Sequence, residues 1–311
     1  MYAIKRAATA RMGNQLSGVV EQLAHKSIYQ PPPVNYTRTS CQFIRTKCGD
    51  SIAMRLYSPS QEVEERWRSD TKAAASPHDL LVISHGNGTD IGRMHRFCEH
   101  LCSALKVDVL VYDYPEYGHS SGKNVSERTI LAAADAVFTA CEDHGYKAAR
   151  MCVVGHSLGS VPTLYLASQT RYDVAGVVLL APLASGSRVF LQNSRYMPKW
   201  VLGQLDCLLF DNTKRIAQVR CPVAIVHGTL DIVVGVEHTE YLKARISETS
   251  RYPTLFLATG HNELVDVSSK DILRITEYIR KFCAKCMSVE TLESVREAND
   301  SSLDDLLLNF D

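Results

Sequence analysis

Short apolar runs alternate along this chain with longer segments whose apolar residues recur at helical spacing. The runs Leu80–Ser84, Val107–Tyr112, Met151–Val154, Val174–Leu180, Val223–Val226 and Thr254–Ala258 are rich in Val, Ile and Leu. They are too short for helices and predict strands buried on both faces. Between them, Ile91–Leu105 sets Met94, Phe97, Leu101 and Leu105 on one face, and Ser126–His144 opens on a good N-cap residue. Gly235–Ile246 and Lys270–Phe282 complete the helical segments, the last with Ile272, Ile275 and Ile279 in line. Strands separated by helices predict an α/β fold, a mostly parallel sheet flanked by helices. Ahead of it, Cys41–Lys47 and Ser51–Tyr57 predict a hairpin around Cys48-Gly49-Asp50. Residues 58–78 are polar and mixed and read as a surface loop with a helical turn.

Three segments fall outside this alternation. Residues 1–40 form an N-terminal helix over 16–28 followed by a Pro31-Pro32-Pro33 entry into extended chain. Residues 182–221 carry Phe190, Leu191, Trp200, Val201, Leu202, Leu205, Leu208, Leu209 and Phe210. They read either as a small cap that gives the site an apolar wall or as helices packed on the body. Residues 284–311 are an acidic tail with an apolar edge.

Lys plus Arg equals Asp plus Glu, so the net charge is zero and nothing favours nucleic acid. Ten cysteines are scattered, several inside apolar runs, and no stretch suits a secretory or membrane-spanning segment. These features predict a reducing, cytoplasmic setting with thiols used as small core residues. Cys283-x-x-Cys286 has metal or redox spacing but no second pair nearby, so no metal or other cofactor is expected. Met12-Gly13-Asn14-Gln15-Leu16-Ser17 fits the N-myristoylation signature. Gly13 is an acceptor only if translation starts at Met12, and a single myristoyl chain would give weak, reversible membrane contact.

The chemistry centres on Gly155-His156-Ser157-Leu158-Gly159, a G-x-S-x-G motif between a predicted strand and a predicted helix. In that setting a serine sits on a strained turn with its hydroxyl projected from the sheet edge. A serine hydroxyl needs a base, and the base needs a group to fix its tautomer. Asp231, in His227-Gly228-Thr229-Leu230-Asp231, follows one strand; His261, in Gly260-His261-Asn262-Glu263, follows the next. Each falls just past a strand's carboxyl end, where ligands bind in open parallel sheets. Asp113 and Asp266 are rival acids, and His85, His156 and His227 read as parts of turns. An oxyanion hole is expected from the backbone N–H groups of Leu158 and Asn87, the latter in His85-Gly86-Asn87-Gly88.

At these motifs the sequence resembles the α/β-hydrolase domain proteins that include membrane-associated protein depalmitoylases. The resemblance runs over about residues 28–283 and rests on SHGNGTDIGRM (84–94), VYDYPEYGHSSGK (111–123), VVGHSLGSVPTLYLAS (153–168), LLAPLASGSRV (179–189), CPVAIVHGTLDIVV (221–234) and GHNEL (260–264). It implies an α/β-hydrolase domain over 41–283 with Ser157 as nucleophile, Asp231 as acid and His261 as base, acting on long acyl chains. Two features depart from the pattern: no cysteine precedes Cys41, and the elbow reads His156-Ser157-Leu158. Both bear on the substrate. Acyl-protein thioesters come first, carboxylic esters or lipids second and peptides third. A non-catalytic scaffold that binds a partner through its tail is the rival from another class.

Overall fold

The computed structural model describes residues 28–69, 78–122, 124–191 and 205–287. The Gly13 motif, most of the segment expected to form an N-terminal helix, residues 192–204 and the tail from 288 lie outside them. The strands are β1 (Gln42–Arg45), β2 (Ser51–Tyr57), β3 (Leu80–Ser84), β4 (Asp108–Tyr112), β5 (Met151–His156), β6 (Gly176–Leu180), β7 (Val223–Gly228) and β8 (Leu255–Leu257). They form one sheet in the order β1-β2-β4-β3-β5-β6-β7-β8. β1–β2 and β2–β4 pair antiparallel, and every later pair is parallel. The helices are α1 (Gln61–Arg68), α2 (Ile91–Leu105), α3 (Glu127–Asp143), α4 (Ser160–Ser168), α5 (Gly186–Leu191), α6 (Asn212–Ile216), α7 (Val236–Lys243) and α8 (Ile272–Cys286).

Every residue of β3, β4, β5 and β6 is buried, as unbroken apolar runs require when both faces of a sheet are covered. Alternate residues feed opposite layers. Val82, Val153 and Val177 pack with Ile130, Val137 and Phe138 of α3 and Leu164 of α4. Ile83, Val154 and Val178 pack with Phe97 and Leu101 of α2 and Ile275 and Ile279 of α8. Caps fix where two of these helices begin: Asp90 accepts from the Arg93 N–H, and Ser126 forms a reciprocal capping box with Thr129.

The element boundaries differ from expectation in instructive places. Residues 61–68 form a helix, α1, in place of the expected loop, because Val63 and Trp67 stand four apart and both bury. The Trp67 ring lies 4.1 Å from His144 at the end of α3. β7 extends to Gly228 and draws His227 into the sheet, while α8 extends to Cys286 and places both cysteines of the C-x-x-C on a helix.

The described parts of the 182–221 segment are tied together at their two ends. Arg188 in α5 makes a two-pronged pair with Asp206, Nε to Oδ1 at 2.7 Å and NH2 to Oδ2 at 2.8 Å. Ser185 donates to the same Oδ1 at 2.6 Å, Ser187 Oγ donates to the Leu205 carbonyl at 2.8 Å, and the guanidinium stacks 3.7 Å over Tyr241. Both charged side chains are 7% exposed, so each depends on the other for its desolvated charge. Asp206→Ala is expected to lower unfolding free energy by about 3–5 kcal/mol, because it strands a buried guanidinium. The paired change Arg188→Met with Asp206→Leu is expected to cost far less. Urea midpoints of the three proteins check both statements.

Candidate active site

β5 ends at His156, and Ser157 follows in the left-handed region at φ 52°. A non-glycine residue held there stores about 1–3 kcal/mol of backbone strain. The neighbouring glycines explain how the turn is held. A Cβ on Gly159 would stand 1.9 Å from the Ser84 carbonyl oxygen, and one on Gly155 would stand 2.6 Å from the Gly159 carbonyl. The start of α4 is therefore pressed against the ends of β3 and β5. Ser160 Oγ donates to the Ser157 carbonyl at 2.7 Å and accepts from Asn212 Nδ2 at 3.1 Å.

Asp231 sits in the loop after β7 with its carboxylate turned inward. Oδ1 accepts from the N–H groups of Val233 and Val234, both at 2.8 Å. Oδ2 accepts from His261 Nδ1 at 2.6 Å and lies 3.5 Å from His227 Nε2. Burial alone would raise the Asp231 carboxyl, but the imidazoles of His227 and His261 beside it outweigh burial and hold the group well below the usual carboxylate range. With Nδ1 donating to Asp231, His261 keeps the Nε2 lone pair free. His227 donates from Nε2 to the Val234 carbonyl at 2.8 Å and accepts at Nδ1 from Thr239 at 2.6 Å.

The loop carrying His261 crosses the end of β7. Leu230 N–H donates to the Thr259 carbonyl at 3.0 Å. Beyond it the loop reaches β5, where His156 Nε2 lies 3.2 Å from the His261 carbonyl oxygen. Ser157, Asp231 and His261 are all buried, at 8–9% exposure. Among the described residues no hydrogen bond joins Ser157 to His261. Such bonds are often long in unliganded sites and close on substrate binding.

The turn after β3 is fixed through the Asn87 side chain. Its Oδ1 accepts from the Gln30 N–H at 2.9 Å and from the Tyr117 hydroxyl at 2.6 Å, and its Nδ2 donates to the Ile28 carbonyl at 2.6 Å. Leu158 lies in the first turn after β5, where N–H groups lack an intrahelical acceptor. The rival acids are engaged elsewhere. Asp113 accepts from the Ile91 N–H and the Tyr36 hydroxyl, and Asp266 accepts from Ser268.

Four further residues contribute to the site. Ser160 anchors the elbow, His227 gives Asp231 a second imidazole neighbour, and Val233 and Val234 donate backbone N–H groups to it. Val233 and Val234 had a local signal, an Asp followed by a turn, and His227 lies only four residues before Asp231, whereas Ser160 is also held by Asn212, 52 residues away. The C-x-x-C pair behaves as core. A hydrogen bond to Cys283, together with burial, pushes the Cys152 thiol well up, and burial pushes Cys286 up to about 12. Among the described residues no group of three or more His, Cys, Asp or Glu could hold a metal ion. No described helix is long and apolar enough to cross a membrane.

The structure thus places a strained serine between β5 and α4 and a hydrogen-bonded Asp–His pair on the loops after β7 and β8. A family model described as serine aminopeptidase, S33, matches residues 75–273. The alpha/beta hydrolase domain-containing protein aho-3 of Caenorhabditis elegans is 31% identical over 280 residues, spanning 85% of this chain and 78% of that protein. Alpha/beta hydrolase domain-containing protein 17B of Xenopus laevis is 33% identical over 241 residues, spanning 77% and 74%. The chain belongs to the α/β-hydrolase family. Among solved structures, the Pyrococcus furiosus esterase Pf2001 matches with a TM-score of 0.60 at 16% identity, covering 82% of this chain and 99% of its own. Est1E of Butyrivibrio proteoclasticus, solved with ferulic acid bound, matches at 0.59 and 16% identity, covering 79% and 98%. These two show the likeness of fold.

Two outcomes are expected from this geometry. Gly159→Ala forces a methyl into the Ser84 carbonyl, which is backbone and cannot swing away. Its cost is expected at about 3 kcal/mol or more, read as a fall in the urea midpoint. The second concerns acid. His156, through burial and the nearby His261, is held down to about 3, and His238, through burial, to about 4. Unfolded histidines take up a proton near pH 6.5. Between about pH 6.5 and 4 the unfolded chain therefore binds more protons, so stability is full above this window and falls as pH falls through it. The depressed Asp231 carboxyl extends the loss to lower pH. Melting temperature against pH checks the sign.

Proposed function

We propose that this hydrolase is a serine hydrolase that cleaves acyl thioesters or esters, with acylated protein as its first substrate class. The observation that carries the reading is the Asp231–His261 bond of 2.6 Å beside a serine held at φ 52°. Ser157 Oγ attacks the acyl carbonyl carbon while its proton passes to His261 Nε2. Asp231 holds the imidazole by Nδ1 and stabilises the imidazolium, and it can do so because it stays ionised. The backbone N–H groups of Leu158 and Asn87 receive the developing oxyanion. The leaving thiolate or alkoxide takes the proton from His261, and water then repeats the sequence on the acyl-enzyme.

Exposed apolar residues next to Asp231 in the chain support an apolar acyl group. Leu230, Ile232 and Val233 flank Asp231 and are 65%, 89% and 47% exposed. Long acyl chains bury such surface at about 25 cal/mol per Å². A peptidase reading draws on the family model's description. Peripheral membrane contact through Gly13, on the cytoplasmic face, belongs to the proposal too, and the intact mass of the native protein reports it.

The test is a fluorophosphonate followed by intact mass. Wild type is expected to gain one adduct, and Ser157→Ala none, with hydrolysis reduced by about 10⁴-fold or more. No adduct on folded wild type would bring the scaffold reading forward. Rates on thioesters and esters are expected to rise from acetyl to longer acyl groups. A fall along that series, or faster cleavage of peptides, would remove the acyl assignment.

A further inference from the structure

The loop that carries His261 begins far from Ser157. β8 stands three places from β5 in the sheet, about 14 Å at ordinary strand spacing. Two contacts bring the loop back. The first is at β7, where a Cβ on Gly228 would stand 2.3 Å from the Thr259 carbonyl and 2.6 Å from that of Gly260. The second is at β5, where His156 Nε2 donates to the His261 carbonyl at 3.2 Å and the two rings lie 5.0 Å apart.

His156 is itself wedged in place. It is buried, and its Nδ1 has no hydrogen-bond partner. That nitrogen faces the turn after β3, since a Cβ on Gly86 would come within 2.7 Å of it. One imidazole therefore spans from the oxyanion turn to the backbone of the base. The carbonyl on one side requires a proton on Nε2, and the glycine on the other leaves Nδ1 bare, so a single neutral tautomer fits. The titratable groups around it are His261, Asp231 and His85. A neutral neighbour does not oppose the positive charge that forms on His261 during acylation.

We propose that His156, beyond its place in the motif, is a positioning residue that sets the His261 loop against Ser157 and the oxyanion turn. The proposal rests on the serine-hydrolase reading of the site. It acts through backbone, so its loss displaces the base without removing a reacting group. A displacement of about 1 Å is worth up to about 10²-fold in rate.

The experiment compares His156→Gln, His156→Asn and His156→Leu in the full chain. The Gln amide reaches the Nε2 position; the Asn amide stops short of it, and Leu offers no donor. Three quantities are read: kcat and KM on an activated ester, the rate of fluorophosphonate labelling, and the downfield proton resonance of His261 Nδ1–H. His156→Gln is expected within about 5-fold of wild type, with the resonance retained. His156→Asn and His156→Leu are expected to lose about 10–100-fold in kcat and labelling rate, with KM within about 3-fold and the resonance broadened. If His156→Leu does not fold, the Gln and Asn pair, matched in polarity, decides. Folded His156→Asn or His156→Leu with wild-type rates and resonance overturns the proposal. Wild type that takes no fluorophosphonate overturns the hydrolase reading instead, and the resonance of the variants then still reports whether His156 sets the loop.

Discussion

Everything at the site depends on how closely α4 approaches β3. Only a hydrogen at Gly159 allows the helix to start against the Ser84 carbonyl, 1.9 Å from where a methyl would stand. That contact forces the chain to turn within one residue after β5, and the turn drives Ser157 into a backbone region that a serine otherwise avoids. The strain is held because the surrounding contacts determine it many times over: Ser160 bonds the Ser157 carbonyl, and Asn212 and Leu183 bond Ser160. The rest of the site is arranged about this fixed point.

Electrostatically the site is built around the ionised Asp231. Asp231 has two backbone N–H donors on one oxygen and an imidazole on the other, so its charge persists although it is buried. His156 and His238 are kept uncharged by burial, and the Nδ1 of His238 is occupied by the Ala184 N–H at 3.0 Å. His261 differs from these two in having a carboxylate oxygen 2.6 Å behind its Nδ1.

How far this was legible in the sequence follows from how local each signal is. Strands β3 to β7 were readable because a strand covered on both faces must be apolar at every position. Ser157, Asp231 and His261 could be singled out as candidates because each sits in a short motif just past such a strand. Helix α1 was not, since only Val63 and Trp67 turn inward among Glu62, Glu64, Glu65 and Arg68, and two apolar positions do not make a period. The work of His156 and His227 was hidden for another reason. The partner of His156 lies 105 residues away, and no local pattern records which carbonyl a folded loop will present. His227 looked like turn chemistry because the strand's end could not be set without knowing that β8 pairs beside it.

The pair between Arg188 and Asp206 has a meaning for how such a protein can change. It fastens the two feet of the 192–204 stretch to each other and, through Tyr241, to α7. A stretch whose ends are already clamped adds little closure entropy when it grows, about 0.6 kcal/mol for each doubling in length. The thirteen positions from 192 to 204 can therefore change in number and kind at little cost to the frame that carries Ser157, Asp231 and His261. The fold thereby tolerates insertion and deletion at this point of the chain, a freedom that the closely packed turn at Ser157 does not have.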